Sequence, residues 1–253
     1  MISYEEALGL VRAAGAARPL GVETLGLADI LGRVCAEDIA APRLNQPFDN
    51  AAMDGFALRA VDLAGAAEDA PVALSMVGHV AAGDPTVFAP PLAGQCYEIM
   101  TGAVMPSGCD AVVPVEKTAR DGTGRVVFRA PAGLGDNLRR AGEDFALGDP
   151  VVGRGTIFNP GHVLALATLG IGTARGLKAP RVAVISTGRE VVDRPGEALA
   201  PGQIYNSTGP YLQAALGALG AGVTTGPVVP DDSRLFARTL SEAVESGADI
   251  VVS

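Results

Sequence analysis

The tail of the chain restricts its fold more than any other stretch. Arg181 to Ile185 (RVAVI) is a short β-branched run that ends in Ser186-Thr187-Gly188. Pro210 to Leu219 reads as an apolar helix stopped by Gly220, and Val223 to Val229 as a second strand. Ser233 to Val244 has the pattern of a helix capped by Asp231 or Asp232, and Asp249 to Ser253 (DIVVS) begins a third strand. Strand, helix, strand, helix, strand folds as an open parallel sheet with right-handed crossovers. Three strands make a thin sheet, so more chain is expected beyond Ser253.

Upstream the texture differs. The chain carries 33 Gly and 18 Pro in 253 residues, too many for a helical bundle. Between about Asn45 and Arg140, short runs alternate with Gly, Pro and Asp: Phe56 to Leu58, Val72 to Val77, Cys96 to Met100, Ala111 to Val115 and Arg125 to Phe128. That spacing predicts a β-rich lobe. The first helix has a visible start, with Ser3 as cap and Glu6 completing a capping box. Ala7, Leu8, Leu10, Val11 and Ala14 form its apolar stripe, and Gly15 ends it. Val22 to Ala41 holds two short apolar stretches about Leu31-Gly32-Arg33, closed by Pro42. Gly161 to Leu169 reads as another helix, with Asn159 and Pro160 as cap and first-turn residues. At 48% hydrophobic and 19% charged, the chain supports a core, built from Ala, Val, Leu and Ile because Trp is absent.

Several function classes lose support. A net charge of −9 opposes non-specific binding to nucleic acid, which relies on neutralising phosphates. Cys35, Cys96 and Cys109 contain no CxxC pair, and His79 and His162 are far apart in sequence, so a zinc site is not expected. An odd, sparse cysteine count suits a reducing cytoplasm. The acidic start Met1-Ile2-Ser3-Tyr4-Glu5-Glu6 does not resemble a signal peptide, and no apolar run reaches membrane-spanning length. A cytoplasmic protein without membrane contact is the expectation.

The candidate chemistry lies in five strings. Pro47-Phe48-Asp49-Asn50-Ala51-Ala52-Met53-Asp54-Gly55-Phe56-Ala57-Leu58 places two Asp and one Asn in a tight loop before a strand. An Asx-turn accounts for any one of these residues; the whole string is far more specific. Ser186 to Glu190 lies at the carboxyl end of a parallel strand, where open α/β sheets bind ligands. There Ser186 and Thr187 offer hydroxyls, Gly188 lets the backbone approach an anion, and Glu190 adds a negative group, unless the segment is a plain turn. Asp231 and Asp232 end the next strand at the same edge, and one of them is expected to cap the helix. Arg139 and Arg140 carry planar forks suited to phosphate or an oxyanion, or form a solvated pair. Thr101-Gly102 offers a hydroxyl and an amide at a strand end, or a simple turn.

These strings together resemble the molybdopterin molybdenumtransferase family (MoeA and the gephyrin E domain). The fingerprint Pro47 to Leu58 is followed in order by Ile99 to Ala103 with Pro106, Gly108 and Asp110 to Val113; by Asn137 to Arg140 with Gly142-Glu143-Asp144; by Ser186 to Glu190; and by Gly202-Gln203-Ile204-Tyr205-Asn206-Ser207. The resemblance covers essentially the whole chain. It implies an elongated α/β plus β chain of several domains: residues 1–44 with 141–176 as a helical and linker domain, 45–140 as the β-rich lobe, and 177–253 as an incomplete molybdopterin-binding-like α/β domain. It also implies Mg²⁺-dependent insertion of molybdate into adenylylated molybdopterin with release of AMP. Asp54, Asp144, Glu190 and Asp231 would be the catalytic carboxylates, with Asp54, Glu190 and Asp231 holding the metal. Thr101, Gly102, Arg139, Arg140, Ser186, Thr187 and Gly188 would contact ligand. Because Asp54 and Asp144 fall in the β lobe and Glu190 and Asp231 on the sheet, the resemblance implies that they meet across a cleft of a homodimer. A molybdopterin adenylyltransferase is a further implied partner. In the family a Gly-rich, Ser-containing loop, more of the sheet and a C-terminal β domain follow the last strand, so the chain is expected to be truncated. That ending motivates an alternative, a non-catalytic pterin- or nucleotide-binding scaffold. A generic nucleotide-binding enzyme has less support, since GxGxxG and a P-loop lysine are both lacking and Lys117 and Lys178 are the only lysines.

Overall fold

The computed structural model describes residues 2–253. The chain divides into two compact units, Ala40–Asp149 on one hand and Met1–Ile39 with Pro150–Ser253 on the other.

Ala40–Asp149 is built on a six-stranded sheet. Its strands lie side by side in the order Ala111–Pro114, Gly55–Leu58, Gln95–Ile99, Val72–Val80, Arg125–Phe128, Thr118–Arg120. Every pairing is antiparallel except that of Val72–Val80 with Gln95–Ile99, which is parallel. All four residues of Gly55–Leu58 are buried. Side chains alternate across a strand, so Phe56 and Leu58 pack on one face with Leu63, Leu74, Cys96, Val126 and Phe128. Ala57 faces the other way, with Val80, Tyr97, Ile99 and Val112. A strand buried on both faces loses the polar–apolar alternation and reads in sequence as a continuous apolar run. Phe56 and Phe128 meet edge to face, 6.1 Å between centroids. The Val72 strand continues to Val80, three residues past the expected end at Val77, and its register slips between Met76 and Gly78.

A short helix at Ala60–Leu63 turns the chain at the sheet margin. Asp62 accepts from Arg59 Nε at 3.0 Å and Nη2 at 2.6 Å, and from the Gly94 amide at 3.3 Å. Its side chain is only 11% exposed, and the Arg59 hydrogen bond holds its carboxyl below the usual range. Asp62→Ala should therefore cost about 1–3 kcal/mol at neutral pH. A carboxyl depressed in the folded state stabilises fully above its unfolded value of ~3.9, and that contribution fades as pH falls through the folded value. Urea unfolding of both proteins at neutral pH and at roughly pH 3 should show the gap narrowing in acid. A gap that widened would reverse the assignment.

In the other unit, Val22–Gly26 pairs antiparallel with Thr173–Leu177. The pair closes over Leu25, Ile30, Cys35, Val152, Phe158, Leu166 and Ala174. Helix α1, Tyr4–Ala16, starts from the reciprocal Ser3–Glu6 box, and α2, Pro160–Thr168, from the equivalent exchange between Asn159 and His162. None of the residues of α1 is buried; Leu10 and Val11 are 63% and 69% exposed. Local signals fixed that helix, while its apolar stripe has no buried position in the unit.

The rest of this unit is a three-stranded parallel sheet in the order Gly222–Thr225, Arg181–Val184, Ile250–Val252. Helix α3, Thr208–Ala218, and α4, Ser233–Glu245, lie between the strands in sequence. Arg181–Val184 is central, so Val182, Ala183 and Val184 are buried. The strand expected to reach Val229 ends at Thr225, because Gly226-Pro227 follows and Pro lacks the amide a ladder needs. Val229 returns to the sheet edge through a single bridge with Thr187. α3 begins two residues before Pro210, where proline is tolerated in a first turn. No helix among the described residues is long and apolar enough to cross a membrane.

Candidate functional site

Within Ala40–Asp149 the fingerprint forms a bonded cluster. Asp54 Oδ1 accepts from both the amide and the hydroxyl of Thr101, each at 2.7 Å. The hydroxyl bond, then the amide bond, holds the Asp54 carboxyl below the usual range although it is exposed to solvent. Gly102 donates its amide to Ala51 O at 2.8 Å. The donors of Thr101 and Gly102, expected to face a ligand, are thus engaged inside the protein, those of Thr101 by Asp54 and that of Gly102 by Ala51 O. Asp54 Oδ2 meets no protein donor among the described residues.

Asp49 makes no Asx-turn. It accepts from the Ala141 amide at 2.9 Å and from Arg140 Nη1 at 2.7 Å, and these bonds, the amide first, lower its pKa. Asp144 accepts from Arg139 Nη2 and from Asn45 Nδ2, both at 3.0 Å. Each arginine of the pair therefore clasps a carboxylate, and the two clasps tie the loop around 139–144 to Asn45 and Asp49. Asn50 is 2% exposed, and its Oδ1 has no hydrogen-bond partner among the described residues.

In the parallel-sheet unit, a cavity of about 200 Å³ opens at the carboxyl ends of the strands Arg181–Val184 and Ile250–Val252. Ser186, Thr187, Tyr205, Asn206 and Thr208 supply part of its polar lining, and Val184, Ile185 and Leu212 part of its apolar lining. This is the edge at which open α/β sheets take ligands. Gly188 has φ +128°, and the space a Cβ would fill is occupied by the Glu190 carboxylate, 2.8 Å away. The group above that turn is negative, an arrangement that favours a cation over an anion. Asp232 caps α4, accepting from the amides of Arg234 and Leu235. Asp231 takes no part in the cap and lies 3.9 Å from Arg189 Nε.

Among the described residues, no three His, Cys, Asp or Glu side chains are grouped to hold a metal ion. The carboxylates occur singly: Asp54 with Thr101, Glu190 over Gly188, and Asp231 beside Arg189. Mg²⁺ tolerates such a supply, because it keeps several waters and commonly binds through one or two carboxylates plus substrate phosphates. Burial pushes the Cys96 and Cys109 thiols up to about 12.

Sequence reasoning did not single out Asn206 and Asp193. Asn206 bonds Ser186, twenty residues upstream, and Asp193 holds Asn206 in turn. The one available signal was the placement of Asn206 in the Gly202 to Ser207 string; its partners depend on packing. Asp49 carried a similar signal inside the fingerprint.

A unit built on a mostly antiparallel sheet with an ordered Asp–Thr pair and a unit with a parallel sheet and a cavity at its carboxyl edge make this a chain of α/β plus β class. Residues 2–170 match the family model "MoeA N-terminal region (domain I and II)", and residues 183–253 match "Probable molybdopterin binding domain". The chain belongs to the MoeA family. It is 37% identical over 254 residues to a molybdopterin molybdenumtransferase of Synechococcus elongatus, covering 100% of this chain and 62% of that protein. It is 39% identical over 241 residues to molybdopterin molybdenumtransferase 2 of Mycobacterium tuberculosis, covering 94% and 57%. The crystal structure of a molybdopterin biosynthesis MoeA protein from Pyrococcus horikoshii OT3 superposes with a TM-score of 0.87 at 31% identity, over 99% of this chain and 65% of that one. The chain thus spans about three-fifths of the length of these relatives.

Proposed function

We propose that this chain contributes the pterin pocket and metal-binding carboxylates of a molybdopterin molybdenumtransferase, which inserts molybdenum from molybdate into adenylylated molybdopterin and releases AMP. The observation that carries the reading is the cavity at the sheet's carboxyl edge, lined by Ser186, Thr187 and Asn206, in a chain of the MoeA family. Its volume is below the ~300–1,000 Å³ of pockets that enclose drug-sized ligands, so it suits one ring system or a phosphate of the substrate. Thr187 and Ser186 bind and orient that portion through their hydroxyls. Thr101 keeps Asp54 ionised and aimed, and Arg139 and Arg140 order the neighbouring loop through Asp144 and Asp49. When bound, Mg²⁺ supplies charge neutralisation at the phosphoanhydride. Asp54, Glu190 and Asp231 are the proposed candidates for its one or two protein ligands, with Asp144 as a further proposed catalytic carboxylate. A homodimer, supply of substrate by a molybdopterin adenylyltransferase, and a cytoplasmic location belong to the same reading.

Stripping Mg²⁺ with EDTA tests the metal assignment. Release of AMP from adenylylated molybdopterin by the protein at its relatives' full length should stop, and added Mg²⁺ should restore it, while binding of unadenylylated molybdopterin stays within about twofold. AMP release that continues in EDTA would refute the metal assignment. A second reading is a pterin- or nucleotide-binding piece that is not itself catalytic. Turnover by residues 1–253 alone at the rate of the longer protein would eliminate it.

A further inference from the structure

Asn45 meets the loop that carries Asp144 at three points. Its amide donates to Phe145 O at 2.9 Å, its carbonyl accepts from the Gly142 amide at 3.0 Å, and its side-chain Nδ2 donates to Asp144 Oδ2 at 3.0 Å. An ionised carboxylate only accepts, so the end of the Asn45 side chain that faces Asp144 is the nitrogen. Arg139 Nη2 reaches the same oxygen, also at 3.0 Å. Two donors therefore converge on Oδ2, and Oδ1 of Asp144 has no protein donor among the described residues. Asp54 shows the same division: the amide and hydroxyl of Thr101 both bond Oδ1 and leave Oδ2. Asp49, bonded to the same loop, differs, because the Ala141 amide takes one of its oxygens and Arg140 the other. The two donors to Asp144 are not equivalent. Arg139 is long and its side chain is 41% exposed, so it can follow the carboxylate as it turns. Asn45 is short, 8% exposed and tied to the loop through its own backbone, so it cannot.

We propose that Asn45 is a positioning residue for Asp144: it pins Oδ2 to the fold and so sets the direction of the carboxylate, leaving Oδ1 as the oxygen open to substrate or to a solvent molecule. The inference rests on the reading of Asp144 as a catalytic carboxylate given above. Arg139 supplies the opposite charge, and Asn45 supplies the direction. Because the two backbone bonds of Asn45 do not involve its side chain, substitution there leaves the seat of the loop in place and removes only the aim of Asp144.

AMP release by the protein at its relatives' full length, with kcat and KM for adenylylated molybdopterin measured separately, tests it; thermal midpoints of residues 1–253 are read alongside. Asn45→Leu nearly keeps the side chain's volume and both backbone bonds but removes the donor. It should lower kcat about tenfold and leave KM within about twofold, with a midpoint close to that of wild type. Asn45→Asp keeps the shape and sets two carboxylates against each other, so kcat should fall further. Asp144→Ala should lower kcat about 10²-fold or more. Adding Asn45→Leu to Asp144→Ala should cost nothing beyond Asp144→Ala alone, since Asn45 acts through Asp144. A further loss in that double variant would overturn the positioning role while leaving the reading of Asp144 intact, as would wild-type kcat in Asn45→Leu beside a slow Asp144→Ala. Wild-type kcat in Asp144→Ala would overturn both. If Asn45→Leu fails to fold, Asn45→Ala decides the matter: the same fall in kcat at unchanged KM is expected, and wild-type kcat there would sink the proposal.

Discussion

Gly55→Ala is expected to cost about 3–5 kcal/mol, at the severe end for a single added methyl group. A Cβ at Gly55 would lie 2.1 Å from Val113 O, 2.8 Å from Val113 C and 3.0 Å from Pro114 Cα. These are backbone atoms of the neighbouring strand, and Gly55 is paired on both sides, with Pro114 and with Ile99. No rotamer change relieves the clash; the strands must part at the point where Phe56 and Leu58 anchor the core. Gly78→Ala provides the control. Its Cβ would meet only the Tyr97 ring, at 3.0 and 3.1 Å, and a side chain at the edge of a register slip can shift. That variant should lose about 1 kcal/mol. Urea unfolding of the two variants beside the wild type separates the cases, and a Gly55→Ala loss of under ~1 kcal/mol would show that the strand spacing is softer than described.

Asp54→Ala is expected to slow AMP release by about 10²–10³-fold in the protein at its relatives' full length, as loss of several kcal/mol of metal-borne stabilisation requires. Binding of unadenylylated molybdopterin should change little, because Asp54 is not part of the cavity lining. The side chain is exposed and its bonds end at Thr101, so the folded chain should tolerate the change. Thr101→Val offers a finer test. It removes the first cause of the lowered Asp54 pKa and leaves the amide bond. A carboxyl depressed by that hydroxyl stays charged to lower pH, so the variant should lose activity at a higher pH on the acid side than wild type does. An unchanged acid limb, or wild-type turnover by Asp54→Ala, would remove Asp54 from the mechanism.

Much of the local structure was legible in the residues. The Ser3–Glu6 box, the Asn159-Pro160 start, the Asp231-Asp232 stop-and-cap and the β-branched RVAVI run each encode an element within a few neighbours, and each element forms. Alternation of strand and helix after Arg181 was enough to specify a parallel sheet, since side-chain period and connection length leave few alternatives. The fingerprint string likewise marks Asp54 and its loop. What lay beyond the sequence was partnership. The apolar stripe of α1 is encoded locally, yet none of it is buried, because burial depends on which surfaces the fold brings near. Arg139 and Arg140 advertised anion forks, but Asp144 and Asp49 fill them, one from five residues away and the other from ninety-one. The donors of Thr101 face Asp54, forty-seven residues upstream, and the choice between Asp231 and Asp232 as cap was settled by backbone angles at the end of a returning chain. Propensity and capping act over a single turn and are written in the sequence. Which donor meets which acceptor across tens of residues is decided only when the fold brings the strands and loops that carry them together.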